Sequence, residues 1–209
     1  MPGLPGFRRI AGGDVSAGGD PALLGLSSQE RPEIDAGTFC AGLFVTEVPP
    51  GAVPVAYFSD SRCAFCRVMS PMLKQMEERG EIAVTWHEFP ILSEASEVAA
   101  RAALAARQQG AYVIFHQRLM GTPFLPNAAY LRAIAADAGI DAHRLMKDME
   151  TPVVDRQLAT TAALARRLGF YGTPGLVIGR TVVLGQLDDT GLRRLVMAER
   201  AESAPGPCG

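Results

Sequence analysis

Cys63 and Cys66 stand with two residues between them, a spacing that suits sulfur chemistry. When such a pair opens a helix, the two thiols can close a small disulfide ring. The first thiol then lies where unpaired backbone N–H groups and the helix dipole favour an anion. The thiolate is the reactive form, and this setting lowers its pKa. Arg62 and Arg67 add positive charge close by in the chain, unless their side chains point to solvent. These features predict that Cys63 is the nucleophile that exchanges with a substrate sulfur. Cys66, one turn further in and less exposed, would resolve the mixed disulfide. The competing chemistry is a zinc site, which needs four ligands. The sequence has no second pair of this spacing, and His87, His116 and His143 fall in separate elements, so no metal is assigned.

The elements around the pair must place it. Residues 53–58 are apolar and β-prone, and their near-continuous apolar run suits a strand covered on both faces. A loop follows, and then a helical pattern with Phe65, Val68, Met69, Met72, Leu73 and Met76 on one face, closed by Gly80. Pro71 lies inside this helix and should kink it. Residues 82–89 form a second strand, ended by Pro90. Strand, helix, strand is one βαβ unit, which implies parallel pairing. The methionines follow the core stripe rather than forming a metal box, and Trp86 is expected in the core or a groove wall.

From Ser93 to Gly169 the pattern is helical. Ser93 caps an Ala-rich helix to Gly110, and shorter helices follow over 112–120, 127–138 and after Asp141. Thr151 and Pro152 open the last of the series as N-cap and first helical residue. His116, within this block, is read as a structural residue with a satisfied hydrogen bond rather than a proton donor. Residues 176–178 and 181–184 then flank Gly179-Arg180 as a hairpin, and Asp188 or Asp189 caps a terminal helix to about Glu199. A lone hairpin cannot stand as a domain, so it joins the first two strands in one sheet and makes the helical block an insertion.

The rest of the chain bounds the answer. It has 209 residues, 48% hydrophobic and 20% charged, with a net charge of −2, which gives a core to bury and no reason to expect nucleic acid as partner. No apolar run reaches about 18 residues, so no membrane-spanning segment is expected. Residues 1–40 are read as an extended arm and 201–209 as a flexible tail. Between them lie a sheet domain over 41–92 and 170–200 and a helical insertion over 93–169. The start lacks the charged-then-apolar pattern of a signal peptide, which fits a cytosolic protein or a mature form with a new initiator Met. Cys40 and Cys208 are either a structural disulfide tying arm to tail or two unrelated thiols. A bridge would imply an oxidising compartment.

Cys63-Ala64-Phe65-Cys66 after a strand, Pro71 in its helix, a helical block, then Gly172-Thr173-Pro174 before a hairpin resemble the DsbA-like family of the thioredoxin superfamily over about residues 43–200. The resemblance implies a thioredoxin fold, a mixed β-sheet flanked by helices, with an inserted all-helical domain. It implies dithiol oxidation or disulfide exchange in the bacterial periplasm or cell envelope, without cofactor. It makes Cys63 and Cys66 the catalytic pair and Pro174 a cis-proline facing them. Thr173, Pro174, Ala64 and Phe65 would contact substrate, Thr173 by offering its backbone to an extended segment. Partners would be cysteine-containing proteins and a redox partner that resets the pair, with a monomer as the default.

The sequence departs from the family's strongly oxidising members in three places. Ala64-Phe65 replaces Pro-His, which predicts a less oxidising disulfide. Tyr57 stands where a buried acidic residue is common, with Asp60 nearer the motif. Thr173 before the proline is more typical of isomerase-like and reductase-like relatives. An oxidase is favoured, with a reductase or isomerase of the same fold as the alternative. A binding or chaperone module without turnover is a reading of another kind, opposed by the two cysteines. A glutathione-using kappa-type transferase is opposed by Cys66.

Overall fold

The computed structural model describes residues 1, 4–18, 34–202 and 208. Its sheet holds five strands: β1 (Arg8–Ala11), β2 (Val53–Ser59), β3 (Ile82–Glu88), β4 (Gly175–Ile178) and β5 (Thr181–Leu184). They lie in the order β1-β5-β4-β2-β3. β2 pairs parallel with β3 and antiparallel with β4, and β1 pairs parallel with β5. The hairpin β4–β5 is therefore part of the sheet that carries the βαβ unit, and the mixed pairing is that of a thioredoxin fold.

The near-continuous apolar run of β2 is explained by burial on both faces. Successive side chains point to opposite sides of a strand. Val53, Val55 and Tyr57 enter one core with Met69, Leu73 and Met76 of the helix α2 (Ala64–Glu78). Ala56 and Phe58 enter a second core with Phe39 and Leu43 of α1 (Ala36–Leu43) and Leu164 and Ala165 of α7 (Pro152–Arg167). The first core also takes in α3 (Glu94–Arg107), α4 (Tyr112–Met120), α5 (Ala128–Asp137), α6 (Ala142–Asp148) and α8 (Asp189–Ala201). Five helices thus lie between β3 and β4 in the chain.

Most local signals have the expected cause. Ser93, Asn127, Asp141 and Asp188 each accept a backbone N–H in the first turn of the helix they precede. Gly80 ends α2 with φ of 70°, a conformation open to glycine at little cost. Thr151 stands at the N-cap of α7, but its hydroxyl donates to the carbonyl of Asp148 instead of accepting from the helix. Pro71 sits within α2, with its ring on the exposed side. Val68, expected on the apolar face of α2, is 53% exposed.

One expectation needs correction. The arm assigned to residues 1–40 is not simply extended: residues 8–11 add an edge strand to β5, and residues 36–40 begin α1. Leu4 and Phe7 are buried in the second core. The strand was missed because its sequence, Arg-Arg-Ile-Ala, has no apolar alternation and all four residues are exposed. Backbone pairing with a partner far along the chain, together with ion pairs from Arg8 to Glu199 and Glu202, holds it. Helix α1 had a signal that went unused: Asp35 caps it, and Phe39 and Leu43 are spaced one turn apart. Residues 19–33 of the expected arm, and 203–207 and 209 of the expected tail, lie outside the described residues. Cys208 is described, and it forms a disulfide with Cys40 across a sequence separation of 168.

Candidate active site

The loop after β2 delivers Cys63 to the start of α2. Asp60 organises that loop. It is buried, and its carboxylate accepts the N–H groups of Arg62, Ile91 and Leu92, tying the motif to the segment after β3. Burial raises the Asp60 pKa, against the pull of those donors. Cys63 is itself the N-cap residue of α2, and its Sγ accepts the N–H of Cys66 at 3.2 Å. A sulfur thus takes the place of the usual capping oxygen, at the positive end of the helix dipole.

The two thiols differ in ionisation. The Cys63 pKa falls from 9.0 to about 6. The Cys66 side chain has the largest part in this, burial opposes it, and Ser16, Thr173 and the Cys66 N–H add to the stabilisation. Burial pushes the Cys66 thiol well up, and the neighbouring Cys63 adds to that. The structure holds both as free thiols, each fully buried. One sulfur is therefore prepared to be an anion near neutral pH and the other to stay protonated.

Thr173 meets this pair, and Pro174 follows it in the chain. The peptide bond between them is cis. The Cys63 thiol donates to the Thr173 carbonyl oxygen at 3.3 Å. Ala64 is exposed beside Cys63, and Phe65 is half-buried against the first core. The structure therefore brings Cys63, Cys66, Thr173 and Pro174 together and leaves Ala64 on the surface next to them. Cys40 and Cys208 belong to the second core, with the sheet between them and the pair.

Arg62 and Arg67 do not face the sulfur. Arg62 Nη1 donates to the Pro123 carbonyl at 3.1 Å and Arg67 Nε to the Met120 carbonyl at 2.9 Å. They fasten the end of α4 and its loop to the motif. Tyr57, in place of the acidic residue common in the family, is buried and donates its hydroxyl to the Cys66 carbonyl at 3.1 Å. It supports the first turn of α2 as a neutral group, its pKa raised by burial. His116 bridges Ser70, at 2.7 Å, and Glu88, at 2.9 Å, inside the first core, and Tyr112 donates to the same Glu88 at 2.6 Å. Its hydrogen bonds are internal. Among the described residues no group of three His, Cys, Asp or Glu side chains is placed to hold a metal.

Ser16 is the residue that sequence reasoning missed. It pairs antiparallel with Thr173, donating its N–H to the Thr173 carbonyl at 2.8 Å and accepting the Thr173 N–H at 2.9 Å. Nothing local in this Gly-rich segment signals such a contact.

The sequence pattern of the DSBA-like thioredoxin domain matches residues 54–195, from β2 into α8. This chain belongs to that family. DsbA-like proteins are thiol–disulfide oxidoreductases, and the chain is an enzyme of that class, with its close pair at Cys63 and Cys66. A thioredoxin-like oxidoreductase from Silicibacter pomeroyi is similar at 36% identity and a TM-score of 0.71, over 78% of this chain and 98% of its own. The thiol-disulfide exchange protein alpha-DsbA2 from Wolbachia pipientis shares the DsbA-like fold at 24% identity and a TM-score of 0.69, over 77% of this chain and 91% of its own. A periplasmic thioredoxin-like protein from Salmonella enterica shares it at 23% identity and a TM-score of 0.68, over 82% and 100%. No curated protein matches the chain. None of the described helices is long and apolar enough to cross a membrane.

Proposed function

We propose that this DsbA-like chain is a disulfide oxidase of the bacterial periplasm or cell envelope, acting on cysteine-containing proteins through Cys63 and Cys66. The observation that carries this reading is the asymmetry of the pair: Cys63 is held near a pKa of about 6 and Cys66 far above its ordinary value. Stabilising the reduced form as a thiolate makes the corresponding disulfide a better oxidant. In the oxidised enzyme a substrate thiolate attacks Cys63 Sγ. The bond between Cys63 and Cys66 breaks, the Cys66 sulfur leaves with the electron pair and takes up a proton, and a mixed disulfide with Cys63 forms. A second substrate thiolate then attacks the substrate sulfur of that bond and expels Cys63 as its stabilised thiolate. The substrate loses two electrons and the enzyme gains them.

The Thr173 backbone supplies the edge on which an extended substrate segment would lie, beside Pro174, Ala64 and Phe65. A disulfide between Cys40 and Cys208 is in keeping with an oxidising compartment. A redox partner must then re-oxidise the pair. Thr173 favours a second reading, a reductase or isomerase of the same fold, which would run the exchange from a reduced pair.

The test is stoichiometric. Oxidised enzyme is mixed with a reduced peptide containing two cysteines, and both products are counted by thiol trapping and mass spectrometry. An oxidase forms one peptide disulfide for each Cys63–Cys66 disulfide consumed. A peptide that stays reduced beside an oxidised enzyme would exclude the oxidase.

A further inference from the structure

We infer that the chain guards its own exchange site: residues 12–18 cross the Thr173 edge, where Ser16 pairs as one residue of a substrate strand would, and a substrate must displace them to reach Cys63. This inference rests on the proposed use of that edge.

The contact is a pairing and not a near miss. Ser16 and Thr173 exchange both of their backbone hydrogen bonds, at 2.8 and 2.9 Å. That satisfies the donor and the acceptor which strand addition by a substrate would need. The Thr173 carbonyl is shared, since it also accepts the Cys63 thiol. The segment is anchored before Ser16 and packed closely after it. Before it, Gly13 donates to the Gln186 carbonyl and Gln186 to the Asp14 carbonyl, each at 2.9 Å. After it, Gly18 passes so close to β3's following loop that a Cβ there would lie 1.8 Å from the Ile91 carbonyl oxygen. At Gly12 a Cβ would lie 2.3 Å from the Leu184 carbonyl oxygen. Opposite Ser16, Gly172 leaves room as well, its Cβ position being 2.9 Å from the Ser16 carbonyl oxygen. The glycines of the segment are what allow it to lie flat across the site.

The consequence is seen at the sulfur. Cys63 and Thr173 both have 0% exposure, although the first thiol of an exchanging pair must meet a partner sulfur. The segment is fed by β1, an edge strand whose side chains are all exposed, and Ser16 makes a single bridge rather than a ladder. Such an arrangement can open without unfolding the sheet. If the open form is a minor species of about one part in ten, apparent affinity for an extended substrate falls about tenfold.

The experiment compares the reduced wild type with Gly12→Val, which crowds the Leu184 carbonyl, and Gly18→Val, which crowds the Ile91 carbonyl, neither residue touching the sulfur. Alkylation of Cys63 by iodoacetamide is timed at about pH 8.5, where the thiolate predominates in every form, so that the rate reports access. Exchange with a two-cysteine peptide is measured beside it. Both variants should be alkylated faster, and their KM for the peptide should fall by up to about tenfold with kcat held. Equal alkylation rates and equal KM in enzymes that still exchange would overturn the inference alone. Absence of exchange in wild type and variants alike would overturn the functional reading instead. Hydrogen exchange on an unaltered segment gives an independent check. In a Cys66→Ser enzyme carrying a peptide on Cys63, the Ser16 amide should lose protection while the Thr173 amide keeps it. A Ser16 amide that stays protected in that adduct contradicts displacement.

Discussion

The Cys63 thiol lies 3.3 Å from the carbonyl oxygen of Thr173, a residue 110 positions away, and that same carbonyl accepts the Ser16 N–H at 2.8 Å. The nucleophile, the cis-proline loop and the N-terminal segment therefore meet at one oxygen. What Cys63 can react with, and how readily, depends on all three.

Cys63 should titrate near pH 6. The pH profile of its alkylation rate should have a midpoint at about 6, well below the ordinary thiol value of 9.0. The sign for stability follows from a depressed acid. The gain to the reduced fold is complete above 9.0 and is lost as pH falls through about 6. The disulfide form has no such titration, so the stability of the reduced enzyme relative to the oxidised one should rise across that window. A midpoint near 9.0 would show that the helix terminus does not act on this sulfur.

Replacing Cys66 with Ser should leave Cys63 reactive and remove the group that resolves the mixed disulfide. The variant should accumulate a covalent adduct with a cysteine peptide, visible as a mass shift on Cys63. Cys63→Ser should abolish exchange and form no adduct through Cys66, whose thiol is buried with a raised pKa. Adducts on Cys66 would reverse the assigned roles.

The Cys40–Cys208 bridge should act on stability and not on the chemistry. Its sequence separation is 168, and the sheet lies between it and the catalytic pair. Double replacement by Ala should lower unfolding free energy by roughly 3–5 kcal/mol on the chain-entropy account. Denaturant unfolding would show this as an earlier midpoint, while peptide exchange at low denaturant should persist. A variant that loses exchange while still folded would place the bridge in the function.

His116 should behave as a core residue. His116→Phe would leave Glu88 and Ser70 short of a partner inside the first core, at a cost of about 2–4 kcal/mol. The alkylation midpoint of Cys63 should stay near 6. A shift of that midpoint would show that the Glu88–His116–Ser70 chain reaches the sulfur.

Much of this site was legible because the signals are local. The apolar run of β2, the cysteine spacing at a helix start, and the Thr-Pro step before a hairpin each depend on a few neighbouring residues. Their order in the chain pointed to the fold. What was not legible depends on partners far away. Arg8–Ala11 become a strand only through β5, and Ser16 finds Thr173 only when the sheet has formed. Arg62 and Arg67 read as nearby positive charge or as solvent-facing side chains, but carbonyls at the end of α4 and in the loop after it take their guanidinium groups. The cap at Asp35 was readable and overlooked, since the surrounding glycines suggested an arm.

The most direct measurement is a redox titration of the Cys63–Cys66 pair against glutathione buffers at several pH values. We predict a midpoint above thioredoxin's about −270 mV and below DsbA's about −120 mV at neutral pH. Its slope should ease from about −59 to about −30 mV per pH unit as pH rises through about 6, where reduction begins to bind one proton instead of two. A midpoint at or below about −270 mV would contradict the oxidase and leave the reductase or isomerase. A pair that never forms a disulfide would contradict the account as a whole.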